Sequence, residues 1–347
     1  MKELLAAVLA VSVSISCAKK PSSEDDRFLY VASGTCYVGP LTATRTTAST
    51  GSGLVSRISL SQGTVENPAV IDYGGLAGQW PTGLVELDSE YFLVPIERTG
   101  GRRIDRVKKS GLSEFNNWSV DTTAISAQPR AMIASGNGGF VLSKSTSIEK
   151  FTSSGASGAR VGTAPFINAP AASCATSTTL MSAMVLLGNG NILWAHANAA
   201  QNRLGISSSG TNCSGQIAAP SATRFPTGIA YMRNYGKILV TYASSTVNEN
   251  TVWVYSVNET TNTITSIGSA ISSPDGSFIY GPSAIAYDES SGSVYVANGS
   301  TAFANNIEKF TFDNTTNLLT RVTGEGGGPW HSATVNSQCV VGMLVAD

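Results

Sequence analysis

The chain repeats one pattern of apolar and polar positions, and this pattern predicts pairs of antiparallel strands. In the clearest copy, Pro282 to Asn298, small and apolar residues lead to an aspartate, a Ser-Ser-Gly turn follows, and Val294 to Val296 form a β-branched and aromatic return. Similar copies begin at Pro81, Pro129 and Pro226, and one without the proline covers Ser182 to His196. Self-similarity at a period of roughly 45–55 residues is typical of solenoids, propellers and arrays.

Each of the clearest repeats continues with two further strands. After Pro282–Asn298 come Asn306–Phe312, a turn with the sequence Asp-Asn-Thr-Thr-Asn, and Leu318–Val322. The repeat that opens at Pro226 has the same order, with the turn sequence Asn-Glu-Thr-Thr-Asn. Four short antiparallel strands per unit of this length are the pattern of a propeller blade. No long window shows apolar residues at helical spacing, so the pattern predicts an all-β protein.

Two motifs carry a resemblance to known repeat families. Tyr295-Val-Ala-Asn, with its Asn-rich loop and the following Ile307-Glu-Lys-Phe, resembles the YVTN-type blade. The Pro-x-Gly-Ile-Ala opening at Pro226 resembles NHL-type repeats. The resemblance implies a β-propeller, and such motifs specify fold far better than activity.

The two ends of the chain predict one further blade. The C-terminal Gly342–Asp347 matches the first strand of a repeat, and Arg27–Gly34 matches the second strand. We therefore expect one domain, residues 28–347, forming a six-bladed β-propeller closed by pairing of the N- and C-terminal strands in one blade. Such closure hides the strand edges that an open array exposes. Seven blades would require splitting 33–60 or 156–180, which lack the motif.

The N-terminus has the features of a targeting segment. Lys2 precedes the apolar stretch Leu4–Ile15, which is too short to span a bilayer. The following Ser14-Ile-Ser-Cys17 resembles a bacterial lipoprotein signal peptide, although Ser14 stands where leucine is usual. The resemblance implies a signal peptide at 1–16, a lipidated Cys17, a tether at 17–27 and, because alanine follows the cysteine, the outer membrane of a bacterial envelope. Ordinary secretion with cleavage after small residues is the alternative.

The other four cysteines suggest two disulfides, because an even number in an exported chain is typical of disulfide bonding. Cys36 follows the N-terminal second strand and Cys339 precedes the C-terminal first strand. Antiparallel pairing of these strands predicts a Cys36–Cys339 bond, which leaves Cys174 and Cys213 as the second pair. Four free thiols are the alternative.

The charge and the histidine content narrow the possible partners. The chain has 22 Lys and Arg against 23 Asp and Glu, which gives a formal net charge of -1. This balance offers no electrostatic footprint for nucleic acid. The two histidines and the cysteines lack metal-ligand spacing, so the sequence predicts no structural zinc site.

Candidate binding residues lie in the loops that precede the first strand or follow the second strand of each blade, because these loops share one face of a propeller. Long loops on a rigid scaffold are a common place for binding. The aromatic, basic and histidine residues that we expect to bind a ligand or partner there are Trp80, Arg130, His196, Arg224, Phe225, Tyr280, Trp330 and His331. The aromatic residues beside the blade prolines also fit a role in packing between blades.

The positions expected at the channel mouth favour a binding protein over an enzyme. Six-bladed lactonases hold a divalent cation on the axis with oxygen ligands. The corresponding residues here, none of them acidic, are Thr82, Arg130, Met181, Thr227, Ser283 and Gly342. We therefore expect a non-catalytic binding or adhesion module for a protein or a glycan, without a cofactor. The alternatives are a metal-dependent hydrolase of the lactonase type and a scaffold subunit of an envelope complex.

Overall fold

The structure is a computed structural model that describes residues 27–37, 47–50, 53–73, 79–98, 101–110, 131–136, 138–143, 147–153, 158–161, 167–168, 181–197, 202–208, 213–244, 246, 249–271, 278–299, 306–324, 327–331 and 339–346. The predicted signal peptide, Cys17 and all of the tether except Arg27 lie outside these ranges. So do Arg130 and Cys174. These expectations therefore stay predictions.

The regular secondary structure of the described residues is almost entirely β-strand. In the first part of the chain the strands are β1 (Phe28–Ser33), β2 (Thr35–Tyr37), β3 (Thr47–Thr50), β4 (Leu54–Ser59), β5 (Val65–Asp72), β6 (Gln79–Pro81), β7 (Val85–Glu86), β8 (Tyr91–Arg98), β9 (Gly101–Lys108), β10 (Met132–Gly136), β11 (Gly139–Ser143), β12 (Ser147–Thr152), β13 (Ala159–Arg160) and β14 (Ile167–Asn168). The later strands are β15 (Met181–Leu186), β16 (Ile192–His196), β17 (Arg203–Ser207), β18 (Cys213–Ala218), β19 (Phe225–Met232), β20 (Lys237–Ala243), β21 (Thr251–Asn258), β22 (Thr263–Ser269), β23 (Pro282–Asp288), β24 (Ser293–Asn298), β25 (Ile307–Asp313), β26 (Leu318–Val322) and β27 (Val340–Ala346). A short 3-10 turn covers Arg233–Tyr235.

These strands form six antiparallel blades and one small hairpin, β2–β3. Blade one contains β6 and β7, which both pair with β8, followed by β9; in blade two, β10, β11 and β12 are followed by β13 and β14, which both pair with β12. Blades three, four and five are β15–β18, β19–β22 and β23–β26. The sixth, which we call the closure blade, has the order β27, β1, β4, β5. The inner strands contact one another in a closed ring, so the prediction of a six-bladed propeller is confirmed.

The closure blade joins the two ends of the chain in the predicted way, with one strand from the C-terminus and three from the N-terminal region. Phe28 lies opposite Ala346 and Ala32 opposite Gly342, in antiparallel register. Next to this pairing, the N–H of Gly34 donates to the carbonyl of Cys339 at 3.0 Å. Cys339 is disulfide-bonded. The side chain of Cys36 lies outside the described part, so its pairing with Cys339 stays a prediction.

The core is divided into one apolar cluster at each of the six seams between blades. Alternate residues of one strand serve different seams, as β24 shows. Val294 and Val296 pack toward blade four, whereas Tyr295 and Ala297 pack toward the closure blade. A strand that is buried on both faces needs apolar or small residues at every position, which is why the repeats show few polar alternations.

The two faces of the propeller are defined by strand direction. On the upper face the first strands begin and the second strands end; on the lower face the first strands end and turn into the second. Among the described residues, no helix is long and apolar enough to cross a membrane.

Candidate functional site

The channel mouth on the upper face carries a set of equivalent hydroxyl side chains. Thr82, Ser182, Thr227 and Ser283 lie near the start of the inner strands, each half-buried. Three of them lie at bulges, where one extra residue interrupts the pairing with the second strand. The hydroxyl of Thr227 donates to the carbonyl of Pro282 in the next blade at 2.6 Å. The channel mouth is therefore polar and uncharged at these four positions.

The bulges correct two of the predicted channel positions. Met181 pairs with His196 and Gly342 pairs with Ala32, so neither is the bulged residue. The bulged residues are Ser182 and Val341, one position further along in blade three and one earlier in the closure blade. A bulge shifts the strand pairing by one residue, and the repeat pattern does not mark it. The pattern therefore predicted the residue next to the bulge in both blades.

The buried carboxylates of three blades are held by arginines. Asp105, Glu149 and Glu308 occupy equivalent positions on the third strand, each opposite a buried residue of the second strand. Glu308 accepts two bonds from Arg321, at 2.8 and 3.1 Å, and the other two acids pair with Arg103 at 2.8 Å and Arg160 at 3.1 Å. In the described part of the chain, no group of three or more His, Cys, Asp or Glu residues is placed to hold a metal ion.

The predicted residues Arg224 and Phe225 lie together at the upper edge of blade four, beside Trp253. The guanidinium of Arg224 lies 5.7 Å from the centre of the Trp253 ring, a cation–π distance. All three side chains are half-buried, and Phe225 packs against Ala197 of blade three. We call Arg224, Phe225 and Trp253 the upper patch.

The loops around the upper patch are held by Glu249. Its Oε2 accepts hydrogen bonds from Thr223 Oγ1 at 2.6 Å and Ser244 Oγ at 2.8 Å. These bonds, with a smaller contribution from the positive charge of Arg224, lower the pKa of Glu249 despite an opposing effect of burial. The loop before the first strand is thereby tied to the loop after the second strand. Glu249 stays ionised at neutral pH and completes a polar rim.

Two buried tyrosines lie beneath the upper patch. The hydroxyls of Tyr242 and Tyr255 are 2.7 Å apart. Burial raises the pKa of Tyr255 to about 12 and raises that of Tyr242 well above its ordinary value, while Arg224 opposes both shifts. Both phenols are therefore neutral at physiological pH. They support the upper patch as a buried, hydrogen-bonded pair and do not act as an acid–base pair.

Tyr280 belongs to a loop that the structure ties down at the upper edge of blade five. Its N–H donates to Asn298 Oδ1 at 2.9 Å, and Asn298 Nδ2 donates to Phe278 O at 2.8 Å and to Asn306 Oδ1 at 2.7 Å. The guanidinium of Arg321 lies 3.9 Å from the centre of the Phe278 ring. Tyr280 is half-buried, and Asn298 holds its backbone through a hydrogen bond. Its role in ligand binding stays a prediction.

Trp330 and His331 lie in the seam between blade five and the closure blade, not on an open loop. The Trp330 ring packs on Tyr295 with the ring centres 4.9 Å apart. His331 is only 4% exposed; it pairs through its backbone with Ile307, and its Nδ1 lies 2.8 Å from Gly63 O. This packing favours a structural role, because His331 is buried and the half-buried Trp330 ring packs on Tyr295.

The remaining predicted residues are scattered. Trp80 lies half-buried in β6 opposite Glu97, in a different blade from the upper patch. His196 ends β16 opposite Met181 and is fully buried. Arg130 lies outside the described residues. Of the seven predicted residues that the structure describes, Arg224 and Phe225 lie together beside Trp253, and Trp330 and His331 lie together in the seam next to the closure blade.

Sequence reasoning missed Trp253 and Glu249. Trp253 lies opposite Val240 on the third strand, at the position that carries Asp105, Glu149 or Glu308 in other blades. Alignment of the third strands would have shown this position as the one that tolerates polar and large residues. Its contact with Arg224 joins two segments that the repeat treats as independent.

Comparison with known proteins gives the fold. No family model matches the chain, and no curated protein matches it. A chain of the crystal structure of a nidogen/laminin complex superposes with a TM-score of 0.58 at 11% identity, covering 92% of this chain and 98% of that one. A periplasmic gluconolactonase from Pseudomonas aeruginosa gives 0.53 at 11% identity, covering 88% and 98%.

A third solved structure has the fold in its name. The Cps50 (Swd1) β-propeller domain of Myceliophteria thermophila gives a TM-score of 0.52 at 11% identity, covering 86% of this chain and 88% of that domain. At such identities the likeness concerns the fold alone. The similarity to YVTN- and NHL-type repeats and the lipoprotein signal therefore stay predictions. The chain is a six-bladed β-propeller, similar in fold to binding proteins and enzymes alike.

Proposed function

We propose that this chain is a non-catalytic protein-binding module whose partner contacts the upper patch. The observation that carries the proposal is the placement of Arg224 over the half-buried ring of Trp253, with Phe225 next in the chain. Tryptophan and arginine are enriched among the residues that dominate binding energy at protein interfaces. An aromatic centre with a polar rim is the usual anatomy of such an interface.

The fixed loops add to the argument. Glu249 holds Thr223 and Ser244 in place, and the Nδ2 of Asn202 donates to the carbonyl of Ala222 at 3.0 Å. The described residues of both loops beside the patch are therefore already held by hydrogen bonds within the chain. Ordering costs at an interface are smaller when the binding loops are already rigid. The solved nidogen/laminin complex supports the idea that a propeller of this kind can serve protein contacts.

Affinity capture with matched variants tests the proposal. The full chain and the variants Arg224→Ala and Trp253→Ala are compared with Ile267→Ala, a control on the exposed outer strand of blade four. The upper-patch variants should retain less than about a tenth of the partner that the wild type retains, which corresponds to about 1.4 kcal/mol. Equal retention by all four proteins, with unchanged melting temperatures, would reject the upper patch.

The proposal includes export and attachment to a bacterial outer membrane through a lipid on Cys17. A lipid chain supplies membrane affinity through its buried methylenes, and the polar tether would leave the propeller free to meet a partner. A scaffold role within an envelope complex is a special case of the same proposal, in which the partner stays bound during purification.

A hydrolase of the lactonase type is the second candidate, because one structure of similar fold is a gluconolactonase. Such an enzyme would have to gather oxygen ligands for a cation at the channel mouth. The hydroxyls of Thr82, Ser182, Thr227 and Ser283 are neutral ligands there. Lactone hydrolysis measured with and without added divalent cations separates this candidate from the binding module.

A further inference from the structure

The lower face carries an aromatic site at the seam between blades four and five. Tyr235, at the end of the 3-10 turn, is 42% exposed, and its ring centre lies 6.1 Å from that of Phe312 in blade five. Burial and the nearby Tyr235 raise the pKa of Tyr287, in blade five, to about 12. Gly236 closes the turn with φ 59°, a left-handed conformation that suits glycine. The exposed ring of Tyr235 in blade four thus lies beside the Phe312 ring of blade five.

Lys237 sets the orientation of two amide side chains beside these rings. Its Nζ donates to Asn314 O at 3.0 Å, to Asn314 Oδ1 at 2.6 Å and to Asn317 Oδ1 at 2.6 Å. Because both amide oxygens face the ammonium, both Nδ2 groups must point away from it. Within the described residues, neither Nδ2 has an acceptor. The exposed Asn314 thus presents N–H donors beside Lys237, whose Nζ lies 5.9 Å from the centre of the Phe312 ring.

In the equivalent seam between blades three and four, the polar side chain of the turn makes its hydrogen bonds within the chain. Its turn has the sequence Asn-Glu-Thr-Thr-Asn, and Glu259 stands where blade five has Asn314. Glu259 accepts the N–H groups of Gly188 and Asn189 at 2.9 and 2.8 Å, and it also accepts the hydroxyl of Tyr231. That seam uses its carboxylate internally, whereas the blade-five turn leaves amide donors for a ligand.

The charges near this site favour a neutral ligand. All three hydrogens of the Lys237 ammonium are used by Asn314 and Asn317, so it has none left for an anion. The exposed Arg233 and Glu289 carry opposite charges. Sugar hydroxyls accept and donate hydrogen bonds, and the C–H face of a sugar ring is an apolar surface that suits an aromatic ring.

We infer that Tyr235, Phe312 and Asn314 form a binding site for a neutral glycan on the lower face. A sugar ring packs on Tyr235 and Phe312, and its hydroxyls accept hydrogen bonds from the Nδ2 of Asn314. This site is separate from the upper patch and does not depend on the proposed protein partner.

Co-sedimentation of the full chain with cellulose, chitin, xylan and insoluble amylose tests this inference. The wild type should sediment with at least one of these polysaccharides. Asn314→Asp, which keeps the contact with Lys237 but removes the N–H donors, should weaken binding at least tenfold, and so should Tyr235→Ala. Thr260→Ala, at an exposed position of the blade-four turn next to Glu259, should bind like the wild type.

The outcomes against the inference are also specific. No sedimentation of the wild type with any of the four polysaccharides overturns it. Binding that Asn314→Asp leaves unchanged, at an unchanged melting temperature, overturns it too. None of the variants alters the upper patch, so capture of the protein partner should be the same in all of them, and either proposal can fail without the other.

Discussion

Arg27 and Asp288 form a buried ion pair between residues that are 261 positions apart in the sequence. Arg27 precedes β1, the second strand of the closure blade, and Asp288 ends the inner strand of blade five. Although the sequence placed Arg27 in the polar tether, it is only 6% exposed. The pair fastens the N-terminal end of the domain to the neighbouring blade.

Replacing Asp288 should destabilise the propeller. Asp288→Ala leaves the buried guanidinium of Arg27 without its partner, and breaking a buried pair typically costs about 3–5 kcal/mol. Urea unfolding measures the free energy of unfolding. Glu289→Ala, at the exposed neighbouring position, is the control and should change it by less than about 0.5 kcal/mol. Equal effects of the two changes would show that the pair contributes little.

Acid should weaken the seam that contains His331. Burial lowers the pKa of His331 below its ordinary value of 6.5, and the hydrogen bond with Gly63 O opposes this only in part. The unfolded chain therefore binds more protons, so stability is lost as pH falls through about 6.5 toward the lower folded pKa.

His331→Asn tests the pH dependence, because the amide can still donate to Gly63 but does not titrate. The free energy of unfolding of the wild type should fall more steeply than that of the variant from pH 7 to pH 5. His196 is present in both proteins, so the difference belongs to His331. Parallel curves would contradict the effect of burial.

A disulfide between Cys36 and Cys339 should lock the closure blade. It would close nearly the whole domain as one loop, and the chain-entropy model gives such a bond about 4–5 kcal/mol. Non-reducing peptide mapping should find one peptide that joins the two residues, and a second that joins Cys174 to Cys213. A peptide linking Cys36 to Cys174 would refute the predicted pairing.

Cys17→Ser should release the protein from the membrane fraction into a soluble exported pool. The lipid chain is the expected source of membrane affinity, because the affinity of such an anchor rises roughly in proportion to the number of methylene groups buried in the bilayer. Fractionation and acyl labelling provide the measurement. Unchanged membrane association of the variant, together with no acyl label on the wild type, would reject the prediction that Cys17 is lipidated.

The repeat predicted the blades well because each blade is built from local hairpins. Tyr295-Val-Ala-Asn and Phe28–Ser33 show the same run of apolar and small residues, which was enough to place the N-terminal strand in the closure blade. The channel positions were less accurate, because the bulges at Ser182 and Val341 depend on pairing between strands.

The candidate site was harder to predict because the strand pattern does not encode contacts between separate segments of a blade or across a seam. Trp330 has the sequence context of an exposed loop, yet it packs on Tyr295. Trp253 has the context of an ordinary strand residue, yet it lies under Arg224. The position of Trp330 required the seam with the closure blade, and the position of Trp253 required the packing of separate segments within blade four.

Site-specific photo-crosslinking tests the central claim, protein binding at the upper patch, most directly. A benzophenone amino acid replaces the exposed Ala222 beside the upper patch in one protein and Thr315 on the lower face in another, and both are irradiated in cells that make the native partner. The account predicts a discrete protein adduct from position 222 that Trp253→Ala abolishes, and no such adduct from position 315. No protein adduct at position 222, or the same adduct from both positions, would contradict it.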